Sequence, residues 1–404
     1  MKTIGLKILS VLLFGGLVFS VFANRAAKSD RIYVKDLDNG RSQLIVNNRP
    51  YIIKGVVYSP APIGMTHTYN FWSDPKKPYI ADAKLMKKMG VNTIRVYKLE
   101  GDPEEIKEAI TFLYDKYKIR VAVGHWLGFW DNPNYADPAF REKVKQDVIE
   151  MVNTYKDTKG ILCWILGNEN NFSFTYGPQA VNIWTTDDIE ALGDPYLKRL
   201  ERAKIYYSFV NEISREIKKI DPGHVTVLAN AETNDICNIS PDITKDIDLL
   251  GASVYRGKSF GSFFRHVQLK FRRPVMVTEF GCDRYDAYLD KEDESSQAEF
   301  IKAEWEEIEK NTYKGSGVGN CVGGFVFEWT DEWWKYNEYS SSGWYIHDIV
   351  SSWSNGAYYF DIKAPNNFNI NEEWWGICSL EKREGALDER KPTKAYFVLK
   401  ELWR

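Results

Sequence analysis

Two glutamates carry the chemistry this chain could do. Glu169 closes the stretch Ile161-Leu162-Cys163-Trp164-Ile165-Leu166-Gly167-Asn168-Glu169, and Glu279 closes Pro274-Val275-Met276-Val277-Thr278-Glu279, 110 residues further on. Each follows an unbroken apolar run, which reads as a strand buried on both faces, as in a parallel sheet. Two carboxyls brought into one pocket do not ionise independently: one is held protonated as an acid while the other stays charged. Cleavage of a glycosidic bond needs that division of labour. A separation of about 5–5.5 Å would let the charged carboxylate attack the anomeric carbon, with retained configuration. A lone glutamate at a strand end says little; the pair says much more.

The elements that must position this pair are strands that end side by side. After a polar lead-in, residues 31–36 and 42–46 read as short strands around Asp38-Asn39-Gly40, and Asn47-Asn48 turns the chain into 51–58. From there strand and helix patterns alternate. Strands are expected at 51–58, 91–97, 120–126, 161–166, 224–231, 248–255, 274–280 and 323–329. Among the helices between them, 80–89 stops at Gly90, Pro103 opens one with Ile106, Ile110, Leu113 and Tyr117 on its apolar face, and 393–402 closes the set. Eight strands each followed by a helix is the count of a (β/α)8 TIM barrel, whose chemistry lies at the C-terminal mouths of its strands. Glu169 and Glu279 then end strands four and seven and face each other across the ring. A doubly wound sheet would need a glycine-rich phosphate turn after its first strand, and Gly55 to Gly64 does not supply one. The expected plan is one barrel over residues 24–404, with a short N-terminal β-hairpin and a long insertion between strand eight and helix eight. That insertion, Asp331 to Lys391, holds Trp333, Trp334, Trp344, Trp353, Trp374 and Trp375. It reads either as a wall of the cleft or as a hydrophobic cluster capping the barrel.

The bulk composition narrows the class. With 404 residues, 44% hydrophobic and 27% charged, and a formal net charge of −3, the chain is too balanced for a nucleic-acid or polybasic membrane protein. Aromatics reach 15%, with 14 Trp and 24 Tyr, enough to fill a core and still line a cleft with flat platforms for sugar rings. Lys2 and Lys7 flank the start of an apolar run from Ile8 to Phe22, and Val21-Phe22-Ala23 offers small residues at the cleavage positions. Residues 1–23 therefore read as a secretory signal peptide, with a secreted or periplasmic location expected. Of five cysteines, Cys163 falls inside a buried strand, and pairing among Cys237, Cys282, Cys321 and Cys378 is left open. The five histidines are scattered and no CxxC occurs, so neither a metal nor an organic cofactor is expected.

Two motifs resemble a known group. Trp164-Ile165-Leu166-Gly167-Asn168-Glu169 is similar to the acid/base segment of clan A glycoside hydrolases, most closely family 2, and Val277-Thr278-Glu279-Phe280-Gly281 to their nucleophile segment. Leu44-Ile45-Val46-Asn47-Asn48-Arg49-Pro50 followed by Ile53-Lys54-Gly55-Val56 is similar to the hairpin leading into these barrels, so the resemblance spans roughly residues 42–404. It implies Glu169 as general acid/base, Glu279 as nucleophile and Asn168 as the partner of the sugar 2-hydroxyl. By the same resemblance Arg95 would hold the nucleophile charged, Tyr255 would donate to it, His125 would contact sugar, and Trp329 would form the aromatic floor at the cleavage point. A structural ion pair is the alternative for Arg95, and ordinary core roles for Tyr255 and His125. Glu328 and Asp331 are acidic neighbours not expected to be catalysts. Full family 2 enzymes carry N-terminal β-sandwich domains with no counterpart here. That points away from exo-galactosidase or exo-glucuronidase action and toward the plan of clan A endo-glucanases and fungal-type β-1,3-glucan transferases.

The expectation is a secreted, retaining β-glycosidase acting on a polysaccharide, taken to be a β-glucan. A transglycosylase using the same residues is the alternative. A carbohydrate-binding or envelope-scaffold protein on an inactive barrel is the rival from another class. The expected partner is a polysaccharide or oligosaccharide, with no nucleic acid and no stable membrane insertion after signal cleavage.

Overall fold

The computed structural model describes residues 30–37, 39–174, 180–233, 235–286, 291–335, 340–349 and 371–404. The segment read as a signal peptide and Trp353 lie outside them. Three antiparallel strands come first: β1 (Ile32–Asp36), β2 (Ser42–Val46) and β3 (Arg49–Tyr51). Ile32 donates its backbone N–H to Gly223 and Ser42 donates to Gly319, residues that immediately precede two barrel strands. The small sheet thus covers the N-terminal end of the barrel, away from the mouth where the glutamates lie.

Eight parallel strands then close on themselves: β4 (Ile53–Val57), β5 (Thr93–Val96), β6 (Arg120–His125), β7 (Ile161–Leu166), β8 (Val225–Ala231), β9 (Leu249–Ser253), β10 (Val275–Phe280) and β13 (Cys321–Val326). Two-residue strands β11 (Tyr285–Asp286) and β12 (Lys291–Glu292) pair outside the ring, and β13 bonds both β10 and β4 to complete it. Helices follow each barrel strand: α1 (Pro78–Met89), α2 (Pro103–Phe112), α3 (Pro138–Tyr155), α4 (Asp187–Ala191) with α5 (Pro195–Ile220), α6 (Ser240–Ile243), α7 (Phe263–His266), α8 (Glu294–Lys310) and α9 (Lys394–Leu402). The chain has the (β/α)8 TIM barrel fold. Among the described residues, no helix is long and apolar enough to cross a membrane.

Local chemistry explains where these elements begin. α2, α3 and α5 each start at an Asp-Pro pair: Asp102, Asp137 and Asp194 accept from the first free N–H groups, while proline at the next position has no N–H to leave unpaired. Burial divides each barrel strand between two cores. In β7, Ile161, Trp164 and Leu166 pack outward against the helices with Val148, Tyr206 and Val210, whereas Leu162, Cys163 and Ile165 fill the barrel interior with Ala122, Val227 and Met276. A run with no polar residue is what a strand buried on both faces requires. The expected eighth strand ran to residue 329, but regular pairing ends at Val326, where Phe327 donates to the Phe280 carbonyl and the chain turns into the mouth. Part of the insertion returns as a hairpin, β14 (Cys378–Glu381) with β15 (Glu389–Pro392), before α9.

Candidate active site

Glu279 is the fifth residue of the six in β10 and is 5% exposed. Four hydrogen-bonding contacts define its neighbourhood. Arg95 on β5, 1% exposed, donates Nη1 to Glu279 Oε1 at 2.6 Å and to the Thr278 carbonyl at 2.9 Å. Tyr97 donates its hydroxyl to the same Oε1 at 2.8 Å, and Tyr255 donates to Oε2 at 2.8 Å. A buried carboxylate with one guanidinium and two phenols aimed at it is compensated for charge and for hydrogen bonding. Removing the compensation would cost more than removing the pair. Tyr97 stands one residue past the end of β5 and two from Arg95, so both reach the same side of the sheet. Tyr97 was not among the sequence candidates, although its parity with Arg95 was the available signal.

Glu169 reaches the same pocket by a different backbone device. β7 ends at Leu166, and Gly167 (φ 80°), Asn168 and Glu169 (φ 57°) turn the chain across the mouth. A Cβ on Gly167 would come within 2.5 Å of the Tyr206 hydroxyl and 2.9 Å of Asn170 Oδ1, so only glycine fits. Asn170 Oδ1 accepts from the Asn168 N–H at 2.7 Å, and its amide donates to the Trp126 carbonyl and the Tyr135 hydroxyl, which pins the turn. A glutamate held in the left-handed region is a strained conformation that the surroundings must over-determine. Asn168 is drawn in too: Arg95 Nη2 donates to its Oδ1 at 2.6 Å, leaving the side-chain N–H2 available to a sugar hydroxyl. The same arginine therefore ties together the strand-four turn and the strand-seven carboxylate.

The two carboxyls are electrostatically unlike. Burial, followed by the negative charge of Glu279 and then that of Glu372, pushes Glu169 from 4.5 up to about 8, against smaller opposing effects from Arg95 and the Ser253 hydroxyl. At neutral pH Glu169 thus carries a proton while Glu279 sits among donors. Burial and the adjacent Glu279 also raise Tyr97 and Tyr255 well above the ordinary tyrosine value, so both remain donors at any working pH.

Aromatic rings surround the pair. Tyr97 stacks on Trp126 (centroids 5.1 Å apart, planes 20° apart), and Trp126 meets Trp130 edge to face at 6.2 Å. Trp130 is 63% exposed, so a continuous run of rings leads from the Glu279 oxygens to solvent. Tyr255 packs edge-on against Trp375 at 4.8 Å and faces Phe327 at 6.4 Å. The expected floor, Trp329, lies elsewhere. Its ring is fully buried in the layer between barrel and helices, with Tyr396 of α9 as ring neighbour at 6.4 Å. Phe327 packs instead with the interior group that includes Tyr97, Tyr255 and Trp375. The expectation for Trp329 fails because regular strand geometry stops at Val326: on a continued strand residues 327 and 329 would share a face, but here residue 327 joins the interior group and residue 329 the outer layer. His125 ends β6; its Nδ1 accepts from the Leu127 N–H at 3.0 Å, so the proton sits on Nε2, and burial lowers its pKa and keeps the ring neutral.

The insertion reaches the pocket, through Trp375 against Tyr255 and through a group of acids. Glu328, Glu332 and Glu372 gather around Lys335, whose Nζ lies 2.9 Å from Glu372 and 3.3 Å from Glu332. Burial and then the neighbouring Glu332 push Glu328 well above the usual carboxylate range; burial takes Glu332 up to about 7, with Glu279 among the charges acting on it. Asp331 has a different task. Arg284 clamps it with two donors at 2.6 and 2.5 Å, and Asp331 accepts from the Gly376 N–H, so it latches the insertion to the barrel. His347 is sandwiched between Trp333 (4.3 Å) and Trp374 (3.5 Å), which stiffens the same wall. The insertion is thus both a cleft wall and an aromatic cluster.

No family model matches the chain, and no curated protein matches it. Solved structures do. A GH2 β-galacturonidase from Eisenbergiella tayi superposes with a TM-score of 0.57 at 17% identity, over 93% of this chain and 54% of that one. β-Glucuronidase 2 of Bacteroides uniformis gives 0.59 at 16% identity over 92% and 37%, and the Ruminococcus gnavus β-glucuronidase 0.56 at 14% over 93% and 53%. The structural match is to the catalytic TIM barrel domains of family 2 glycoside hydrolases. At these identities the likeness is one of fold, and the chain spans about half or less of each neighbour's length.

Proposed function

We propose that this chain is a retaining β-glycosidase that acts on a polysaccharide of the β-glucan type. One observation carries the reading: a buried carboxylate that accepts from Arg95, Tyr97 and Tyr255 shares a pocket with a second carboxyl raised to about 8. In the first step a Glu279 oxygen attacks the anomeric carbon while the bond to the leaving oxygen breaks and takes the Glu169 proton. A covalent glycosyl ester results. Glu169, now a carboxylate, removes a proton from water, whose oxygen attacks the anomeric carbon and releases Glu279. Once Glu279 is esterified its charge is gone, and with it one of the causes that kept Glu169 protonated, so the acid of step one becomes the base of step two. In this reading Asn168 holds the sugar 2-hydroxyl, the His125 Nε2–H contacts a further hydroxyl, and Phe327 floors the site.

The exposed Trp130, linked through Trp126 to Tyr97, supports a chain-like substrate over a simple glycoside, because it offers a flat apolar face beyond the ring being cleaved. Should that face hold an acceptor sugar, transfer to a sugar hydroxyl competes with hydrolysis. Secretion through the N-terminal segment belongs to the same proposal. The test is proton NMR of the first product released from β-glucans, mannan, xylan and galactan, by wild type and Glu279→Gln. A β product from wild type that is absent in the variant is expected. An α product would overturn the assignment of Glu279 as nucleophile, and products longer than the substrate would establish transfer.

A further inference from the structure

We propose that Glu328 and Glu332 select the sugar in the cleaved position, holding a neutral, hydroxyl-bearing ring and rejecting a uronic acid. The proposal rests on the glycosidase reading and names the substrate class that the pocket takes. Its starting point is an unsatisfied atom: Glu328 is 1% exposed and its Oε1 has no hydrogen-bond partner among the described residues. A buried acceptor left unpaired is costly, and one that persists in a folded protein calls for an explanation, such as a ligand that supplies the partner. The Glu332 Oε2 is equally buried and has only Lys335, at 3.3 Å, beside it.

These oxygens belong to the catalytic pocket. Glu328 directly follows Phe327, whose ring faces Tyr255, and its own backbone N–H is bonded to Trp375, the edge-on partner of Tyr255. Its charge acts on Tyr97, the charge of Glu279 acts on Glu332, and that of Glu372 acts on Glu169. The acids therefore ring the same space as the catalytic pair. Among the described residues no group of three or more carboxylates, imidazoles or thiols is placed to hold a metal ion.

The chemistry of the wall decides the ligand. Three carboxyls stand against one ammonium, that of Lys335. A sugar hydroxyl both donates and accepts, so it satisfies Glu328 whether that carboxyl holds its proton or not. A uronate oxygen only accepts and brings a second negative charge beside Glu332 and Glu372, where like charges repel at low dielectric. The fold neighbours named above include β-glucuronidases and a β-galacturonidase, so barrel likeness alone would suggest the opposite choice.

The experiment compares kcat/KM for p-nitrophenyl β-glucoside, β-glucosaminide and β-glucuronide on the full chain, for wild type, Glu328→Gln and Glu332→Gln. The expected result is a wild-type preference for glucoside over glucuronide of about 100-fold or more, shrinking at least about tenfold in either variant as a charge-assisted contact is lost. A binding measurement on wild type needs no variant to fold: neutral gluconolactone should inhibit at least about tenfold more tightly than the carboxylate-bearing glucarolactone. Equal or better turnover of glucuronide overturns the selection while leaving the glycosidase reading intact. A glucosaminide preference above about tenfold overturns it too, in favour of an ammonium at the wall. Turnover of no glycoside, with selective gluconolactone binding, would fell the glycosidase reading and keep the wall; no turnover and no selectivity would fell both.

Discussion

The proton on Glu169 is the most direct point at which to press this account. Lifting a carboxyl from 4.5 to about 8 corresponds to about 5 kcal/mol of preference for the protonated form. Burial supplies the largest share and Glu279 the next. Replacing Glu279 by Gln removes that charge at nearly constant volume. At the separation of about 5.5 Å that a double displacement needs, and an effective dielectric near 20, two unit charges repel by about 3 kcal/mol, or about two pH units. Arg95 would also lose its counter-charge and draw Glu169 further toward ionisation. Glu169 in Glu279→Gln is therefore expected to titrate near about 6, against about 8 in wild type. Carbon-13 NMR of labelled glutamate carboxyls, assigned by comparison with Glu169→Gln, reads both values. Wild-type activity should fall on the alkaline side through about 8, because the group that must deliver the proton then loses it. A Glu169 that titrates at the same pH with and without Glu279 would refute the argument: burial alone would then set its proton, and esterification of Glu279 could not switch its role.

Three further outcomes can be checked. Tyr97→Phe and Tyr255→Phe each delete a donor to an ionised carboxylate at 2.8 Å and should lower kcat/KM by about 10–100-fold, measured on an aryl glycoside; unchanged kinetics would mean these phenols are only packing. Trp130→Ala should reduce kcat/KM on polysaccharide by about tenfold more than on an aryl glycoside, and equal losses on both would remove its role as a sugar platform. Glu304, fully buried on α8, has its carboxyl pushed well above 4.5 by burial, so the folded protein keeps this proton at pH values where the unfolded chain has lost it. Its stabilising effect is complete below 4.5 and declines as pH rises toward the folded value. Glu304→Gln should flatten the fall of unfolding free energy above about pH 5 by up to about 1.4 kcal/mol per pH unit; urea titrations at pH 5.5 and 7.5 with identical slopes in both proteins would contradict it.

Strands and helices were legible here because barrel strands leave strong marks. A run such as Ile161 to Leu166 has no polar residue to break it, and Asp-Pro pairs announce helix starts at 103, 138 and 195. Glu169, Glu279, Asn168, Arg95 and Tyr255 meet in space because each stands at or just beyond a strand end, a position that sequence pattern locates to within a residue or two. What escaped depends on where side chains point once regular pairing has stopped. Beyond Val326 the parity of the strand no longer holds, so Trp329 looked as well placed as Phe327, and only coordinates separate the outward ring from the inward one. Glu328 escaped for a related reason. Three acids among residues 328–332 look interchangeable on paper, yet Asp331 is held by Arg284 while Glu328 keeps a buried oxygen with no hydrogen-bond partner among the described residues.

That contrast bears on how one barrel serves different sugars. The donors to Glu279 come from β5, from Tyr97 just past its end and from Tyr255 just past the end of β9, and the turn that carries Glu169 follows β7; all are fixed by the ring itself. The groups that would choose the sugar come from the chain after β13, where regular pairing has ended and single backbone bonds from Phe327 to Phe280 and from Trp329 to Val57, the Arg284–Asp331 clamp and Trp375 tie it to the barrel. Substituting residues of this wall changes charge and donor pattern without touching the hydrogen bonds of the catalytic pair. The separation is incomplete, because Glu372 acts on Glu169 and Glu279 acts on Glu332. A change of wall charge must therefore also shift the pH at which the acid works. Removing Glu372 lowers the Glu169 pKa, so Glu372→Gln should move the alkaline limb of activity toward neutral pH even when the sugar is unchanged; a limb that stays in place would mean that wall and catalytic pair are electrostatically independent.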